Sequence, residues 1–437
     1  MGIGKLDGLT AFVSAAAIGD LVEVLVLKAE TSLIYCKPIR FIENSPDRIE
    51  VDCPVFFPDS GGVCGGCDFR HITYEAELRA KTNFVRDAFE RIGGFKSGVE
   101  FLPILPSKIV DRYRNKAQYP VAMTENGAVA GFYAARSHRV IPCADCKLHP
   151  EVFGQIKDFI VDYINENGLS VYDEEQHSGV IRRICIRQGQ HSKEINVCIV
   201  ACRYTPELKK LAIAVMDTFE QVKGVSVNIN PDKTNSIWGR RTHRLCGQPN
   251  IVDTMCGVKV VISPRSFYQV NTLAAEELYT QVAEFANLNN PETAQLSTIL
   301  DLYCGIGTIG LSLASKVKQV VGYEENPQAV ANAVMNCKAN RIDNAIFICG
   351  DAGDFSDITP DVVILDPTRK GCEPSVLAKV AALSTKTIVM VSCDPATAAR
   401  DCARLGEFGY ETRFVRPVDM FPRTRHVECV AQLIKKP

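Results

Sequence analysis

The sequence predicts a multidomain α/β protein, on three observations. The chain has 437 residues, more than one hydrophobic core ordinarily organises, so two to three domains are expected. Residues 266–437 alternate short apolar strands with helices, the rhythm of an open, doubly wound, Rossmann-like sheet. Residues 1–50 read instead as short strands between turn residues, which suggests a small N-terminal β-barrel. Residues 51–265 form a mixed α+β central segment that opens on a cluster of cysteines.

Each element has its own signal. AFVSA, LVEVLVLKAE and LIYCKPIRFIE are the strands of the first part. EAELRAKTNFVRDAFERIGG predicts a helix that Gly93 and Gly94 terminate. KAQYPVAM, AVAGFYA, VIRRICIRQ, INVCIVAC and GVSVNINP follow as strands. In the last part TILDLYC is a strand, GIGTIGLSLASK a turn and helix, and VVGYEEN a strand end. PQAVANAVMNCKANR is a helix with Pro327 near its start. IFICGDA, DVVILDP and TIVMVSC are short apolar strands, each ending in an acid or a cysteine. Ligands of such sheets bind beyond the carboxyl ends of the strands. Asp301, Glu324, Asp351, Asp366 and Cys393 all fall at or near such ends.

Composition narrows the class. The 46% hydrophobic and 23% charged residues are ordinary for a globular protein, and no apolar run is long enough to span a bilayer. The stretch Leu9 to Ile18 lacks a basic leader and gives way to a strand, so it reads as folded structure rather than a signal peptide. The 18 cysteines, without an export signal, suit a reducing cytoplasm. Most, such as Cys185, Cys198 and Cys349, sit alone in apolar runs and read as small buried hydrophobes. The formal net charge of -2 does not point to nucleic acid, but a local basic patch can supply phosphate contacts. RYRNK (112–116), ARSHR (135–139), IRR (181–183) and WGRRTHR (238–244) are the candidate stretches, with Tyr113, Tyr133 and Trp238 as stacking faces. Each alone is an ordinary solvated segment; together they give a phosphate-binding surface that the net charge does not show.

GIGTIG, residues 305–310, follows a strand and opens a helix. Gly305 and Gly307 permit a tight turn and close backbone approach to a ligand. Glu324, ending the next strand, can take two ribose hydroxyls. A dinucleotide satisfies the same motif. With Asp301 before the loop and Asp351 after the third strand, the arrangement fits adenosylmethionine better and resembles class I methyltransferases. VSCDPAT places Cys393 at a strand end before a helix whose N-terminus favours a thiolate. A buried strand-end cysteine is the bland reading, set against neighbouring Asp394 and an adjacent strand end at Asp366. Glu428 heads the last strand behind Arg425 and His426.

CPVFFPDSGGVCGGC (53–67) and CADC (143–146) bring several cysteines into play. Cys64 and Cys67 form a C-x-x-C, and with Cys53 and one later cysteine they make four thiolates, which suit zinc or an iron–sulfur cluster. No thioredoxin-like unit surrounds them, which disfavours a redox pair.

SFYQVN (266–271), DLYCGIGTIG, GYEENPQAV, ILDPTRKG, SCDPATAARD and DMFPRTRHVE, taken in order, resemble the RNA uracil-5-methyltransferases that make 5-methyluridine in tRNA and 23S rRNA. The resemblance covers nearly the whole chain. It implies an S-adenosylmethionine-dependent enzyme with Cys393 as nucleophile and Glu428 as base. It implies a cofactor site at Gln269, Tyr303, Glu324 and Asp366, to which the glycine turn adds Gly305 and Thr308 and the end of the third strand adds Asp351. It implies a [4Fe–4S] cluster on Cys53, Cys64, Cys67 and Cys146, with Cys143 as rival fourth ligand. The first fifty residues are similar to an RNA-binding TRAM domain. Thr368 stands where the family usually has a second proline and Thr308 where some members have asparagine, and the Cys53–Cys64 gap is longer than the family's. The expectation is a monomeric cytoplasmic enzyme acting on RNA, 23S rRNA first and tRNA uridine-54 as alternative. A non-catalytic RNA-binding factor and a nicotinamide-dependent oxidoreductase are the competing readings. The chemistry agrees with the first: C5 of uracil becomes nucleophilic only after a thiolate adds at C6, and a base must then remove the C5 proton.

Overall fold

The computed structural model describes residues 2–56, 64–135 and 137–437. The stretch 57–63 of the cysteine cluster and Arg136 of ARSHR lie outside the described residues. Strands β1 (Gly2–Leu6), β2 (Leu9–Val13), β3 (Leu21–Ala29) and β4 (Leu33–Glu43) make one sheet in the order β1-β2-β4-β3. Register shifts between β3 and β4 are bulges that bend the pair. The expected barrel appears as an open sheet: among the described residues no pairing joins β1 to β3. Among the described residues its buried core is Ala11, Val13, Ile34 and Cys36, with Leu9, Ala16 and Val24 half-buried against them, while Leu25, Leu27, Ile39 and Ile42 stay exposed.

Helix α1 (Tyr74–Arg91) starts where Thr73 Oγ1 accepts from the Ala76 amide and ends before Gly94, at φ 73°. The sequence reading groups it with the central segment. Its apolar residues Val85, Ala88 and Phe89 instead enter the core of the C-terminal sheet, and β5 (Glu100–Phe101) pairs with that sheet's edge. An amphipathic helix goes where its stripe is covered, whatever its place in the chain.

The central sheet contains β6 (Lys116–Thr124), β7 (Gly127–Tyr133), β8 (Val140–Pro142), β9 (Ile181–Gln188), β10 (Ile195–Ala201), β11 (Val222–Ile229) and β12 (Arg241–Gly247). The order is β12-β11-β10-β9-β6-β7-β8. Helices α2 (Glu151–Glu166) and α3 (Pro206–Thr218) cover one face, over Ala117, Ile186 and Val197. By the two-residue alternation of strands, Lys116, Arg187 and Asn196 belong to the other face. The hairpin β13 (Ile251–Met255) and β14 (Val258–Ile262) packs into the C-terminal core, so packing crosses the boundary read at residue 265.

The C-terminal part runs α4 (Thr272–Phe285), α5 (Pro291–Ala294), β15 (Thr298–Leu302), α6 (Thr308–Ala314), β16 (Gln319–Glu324), α7 (Pro327–Asn340), β17 (Ala345–Cys349), β18 (Val362–Leu365), α8 (Pro374–Ala382), β19 (Thr387–Ser392), α9 (Pro395–Glu407), β20 (Tyr410–Val418) and β21 (Glu428–Lys435). Its sheet has the order β17-β16-β15-β18-β19-β21-β20-β5. The first five of these are parallel, and β21 is antiparallel to β19. Helices cover both faces, which is why the central strands are continuously apolar rather than alternating. The order reverses at β15, between β16 and β18, which opens a crevice at their carboxyl ends. No helix among the described residues is long and apolar enough to cross a membrane.

One buried ionic knot ties α1 to the segment before β21. Lys81 donates to Glu77 at 2.7 Å, to Asp419 at 2.6 Å and to the Phe421 carbonyl at 3.0 Å. All three charged side chains are fully buried. Glu77 also accepts from the Arg423 amide at 2.7 Å, and Tyr74 donates to Asp419 at 2.7 Å. Lys81→Met leaves two buried carboxylates without their cation. We expect it to cost about 3–5 kcal/mol, read as a lower urea midpoint; a loss within about 0.5 kcal/mol, the range of a surface change, would mean the knot contributes little.

Candidate active site

The register of β19 and β21 builds the centre of the site. Ser392 pairs with Cys429, the last pair before β19 ends. One step beyond stand Cys393 and Glu428, so an antiparallel pair sets them opposite each other. Both line one cleft of about 870 Å³, with Asp366 from the end of neighbouring β18. Asp394 caps α9, accepting from the Ala396 amide at 2.9 Å and the Thr397 amide at 3.3 Å. The helix N-terminus expected to favour a Cys393 thiolate is therefore occupied by Asp394. Burial, reinforced by Glu428, pushes the Cys393 thiol up to about 11, against the nearby guanidinium of Arg369.

The glycine turn forms the other end of the cleft. Gly305 lies at φ 56° and Gly307 at φ 79°. A side chain at Gly305 would meet nothing within 4 Å, whereas one at Gly307 would strike the Phe347 ring at 2.6 Å. Gly305 thus leaves open space on the cleft, and Gly307 allows close helix–sheet packing. Tyr303 holds a left-handed backbone at φ 65°, a strained conformation that turns the chain off β15. Glu324 accepts from the Gly305 amide at 3.0 Å and the Asn326 amide at 2.9 Å, clamping the loop to β16.

Of the predicted cofactor residues, Gln269, Tyr303, Gly305, Thr308, Glu324 and Asp366 all line this cleft. Thr308 shares a 2.9 Å hydrogen bond with Tyr279. Asp351 does not line it; its carboxylate accepts from the Gly353 amide at 2.8 Å in its own turn. Asp301 is wholly buried beneath the loop and accepts from the Gly310 amide at 3.1 Å, which anchors α6. Residues not singled out from the sequence also face the cleft: Arg369, Tyr279, Phe267 and Asn326. Arg369 lies in the quoted ILDPTRKG, and its signal was its place three residues after Asp366 on the same strand end.

The basic stretches divide. Tyr113 is 1% exposed and donates to the Pro422 carbonyl, so it offers no stacking face. Arg112 is committed to Asp145 at 2.5 Å, and Arg182 lies over Tyr172 while bonding the Asn230 carbonyl. Tyr133 is covered by Arg183 at 5.0 Å and by His138 at 5.0 Å. Arg240 and Arg244 do face the cleft. Cys349, read as buried, is exposed, because β17 is the edge strand.

Cys53, Cys64, Cys67 and Cys146 line one cavity, and Cys143 lines it as well. Burial pushes Cys64 up to about 11 and Cys67 up to about 12. Yet among the described residues no three histidine, cysteine or acidic side chains stand close enough to hold a metal ion. The donors suit four-thiolate ligation by chemistry, and they surround a shared cavity without any three among the described residues gathering at a single-ion site.

Carboxyls in and beneath the cleft resist ionising. Burial, with Asp366 adding to it, pushes Glu428 from 4.5 up to about 8. Burial pushes Asp366 up to about 7, and burial, then Asp366, pushes Asp301 up to about 8. Each carboxyl binds its proton more tightly folded than unfolded. Stability of the ligand-free protein should therefore fall as pH rises from the ordinary carboxylate range and level off above about pH 8. Glu428→Gln removes one such group, so its melting temperature should drop less than the wild type's between about pH 5 and pH 8. Equal drops would show that Glu428 ionises freely.

The comparisons with known proteins agree with this geometry. The family model described as tRNA (Uracil-5-)-methyltransferase matches residues 259–362. An uncharacterized RNA methyltransferase of Halalkalibacterium halodurans is 40% identical over 439 residues, covering 99% of this chain and 93% of its own. Another, from Clostridium acetobutylicum, is 39% identical, covering 100% of this chain and 94% of its own. The crystal structure of Pyrococcus abyssi tRNA (uracil-54, C5)-methyltransferase with S-adenosyl-L-homocysteine superposes with a TM-score of 0.80 at 26% identity, covering 99% of this chain and 97% of that one. It supports the class I methyltransferase fold here. The chain is an RNA methyltransferase and belongs to the tRNA (uracil-5-)-methyltransferase family.

Proposed function

We propose that this enzyme methylates C5 of a uridine in RNA through a covalent adduct between Cys393 and C6 of the base. The observation that carries the reading is the single cleft holding Cys393, Glu428, Asp366 and the glycine turn. Bound adenosylmethionine supplies the methyl group. Gln269, Tyr303, Gly305, Thr308, Glu324 and Asp366 are the residues that would hold it, and the open space at Gly305 fits that role.

The side chains divide the work by charge. Arg369, the guanidinium near the thiol, eases formation of the Cys393 thiolate against its burial. The thiolate adds to C6, and the C5–C6 electron pair becomes an enolate with carbanion character at C5. After C5 gains the methyl, Glu428 takes the C5 proton, the C5–C6 double bond reforms and the C6–sulfur bond breaks. Burial suits Glu428 to this task, because a base poised near neutrality can both accept and release a proton. A uridine must leave its stack to reach the cleft.

Cys393→Ala should abolish turnover and any RNA adduct, while Glu428→Gln should accumulate a methylated enzyme–RNA adduct on denaturing gels. Near-wild-type turnover in the first, or no adduct in the second, overturns the assignment. The substrate is proposed to be 23S rRNA. A second reading, tRNA uridine-54, is favoured by the activity named for the Pyrococcus abyssi structure. Mapping 5-methyluridine in both RNAs, from cells with and without the gene, separates them.

We also propose a [4Fe–4S] cluster on Cys53, Cys64, Cys67 and Cys146, organising the central domain and RNA surface rather than transferring electrons. Ligation would draw the thiols together and release their protons. The whole enzyme is read as a cytoplasmic monomer whose N-terminal and central parts bind the RNA. Protein purified without oxygen should be brown and contain iron and sulfide; a colourless protein, or one containing zinc, overturns the cluster.

A further inference from the structure

The central sheet carries a polar row that the proposed chemistry does not use. Lys116 on β6, Arg187 on β9 and Asn196 on β10 stand directly opposite one another across three adjacent strands. Gln118, Cys185 and Cys198 form the next row on the same face. With Trp238 and Pro264 these side chains line a small pocket. Pro264 also lines the catalytic cleft, so the two spaces share a wall.

The row is electrostatically incomplete. Like charges directly opposite on neighbouring strands repel. Burial, then Arg187, pushes the Lys116 ammonium down to about 8, and burial pushes Arg187 down to about 10. Among the described residues, no carboxylate acts on either one. Arg187 gives one amino group to the Ser266 carbonyl, and its Nε has no partner among them. Asn196 is 3% exposed, with neither Oδ1 nor Nδ2 paired among them. Buried donors without acceptors are costly to a fold, and the side chains nearest one another here are two cations and an amide.

We propose that this row is an anion site that takes a phosphodiester oxygen of the RNA strand next to the target uridine. The inference rests on the function proposed above. The pocket encloses about 10 Å³, room for one water-sized group, which admits a phosphate oxygen and not a nucleobase. Lys116 Nζ, Arg187 Nε and Asn196 Nδ2 are all donors. Arg187 is bonded to Ser266, three residues before Gln269, so the site has a fixed position relative to the cleft. A phosphate held there would anchor the strand while the neighbouring base enters.

The register needed for a test comes from 5-fluorouridine, whose C5 fluorine cannot leave as a proton does, so elimination stalls and the adduct persists. The probe is an RNA fragment around the mapped uridine, with 5-fluorouridine at the target and single neutral methylphosphonates at successive neighbouring linkages. With wild-type enzyme and adenosylmethionine, one linkage should slow second-order adduct formation by about tenfold. Lys116→Gln should be slower by a similar factor on the unmodified fragment, should lose nothing more at that linkage, and should lose as much as wild type at others. Its melting temperature should not fall, since the cation removed has no ion-pair partner. Lys116→Arg, which keeps the charge, should restore most of the rate. The proposal fails if Lys116→Gln reacts at the wild-type rate, if its loss multiplies with that of every linkage, or if its melting temperature collapses. It also fails if inorganic phosphate raises the melting temperature in a Lys116-dependent way while no linkage matters, the mark of a free-anion site. If wild type forms no adduct at all, the failure belongs to the proposed function and not to the pocket.

Discussion

The antiparallel pairing of β19 with β21 is the constraint on which the rest of the site depends. A parallel sheet alone would bring strand ends to the crevice, as it does for Asp366 and Glu324. It could not bring the start of a later strand to the same place. Because β21 runs backwards, its first residue, Glu428, stands beside the last residue of β19 plus one, Cys393. Everything that holds β21 in register therefore holds the pair together. The buried knot of Lys81, Glu77 and Asp419 fixes the segment leading into β21. The same segment touches the cysteine-bearing loop, where the Asp68 and Phe69 amides donate to the Arg423 carbonyl. Three parts of the chain, distant in sequence, thus meet within a few residues of Glu428.

The cleft has two electrostatic sides. The methyltransferase side is acidic, with Asp366, Glu428 and Glu324, and burial keeps the first two reluctant to ionise. A sulfonium bound among them would favour their charged forms, while Arg369 is the cation close to the Cys393 sulfur. The central-sheet side is basic, with Arg240, Arg244 and Arg265 facing the cleft and Lys116 and Arg187 behind Pro264. A net charge of -2 conceals this division. A cationic cofactor and an anionic polymer need opposite surroundings, and one cleft between two domains can provide both.

The cysteines illustrate how composition and placement differ. Cys185 and Cys198 behave as the buried apolar residues the sequence suggests, but they also floor a polar pocket. The five cysteines of the two early motifs do converge on one cavity, although β-strands and a helix separate them along the chain. Their spacing in that cavity is a property of the surrounding packing, which the motif does not encode.

The sequence by itself determined the elements and their chemistry. Continuous apolar runs marked the parallel strands, glycines marked the turn at 305–310, and polar residues at strand ends marked the crevice, because each of these is a local rule. Thus Cys393, Glu324 and Asp366 were legible as candidates without coordinates, whereas Glu428, at the start of a strand, was marked only by the family resemblance. Tertiary structure alone decided which of them meet. Asp351 sits at a strand end like its neighbours, yet it caps its own turn and stays off the cleft. Helix α1 lies in the first quarter of the chain, yet it packs on the C-terminal sheet. Tyr113 looks like a stacking platform and is buried. The row of Lys116, Arg187 and Asn196 has no sequence signature, because a cross-strand neighbour is set by register, and register is a long-range pairing that no local pattern contains.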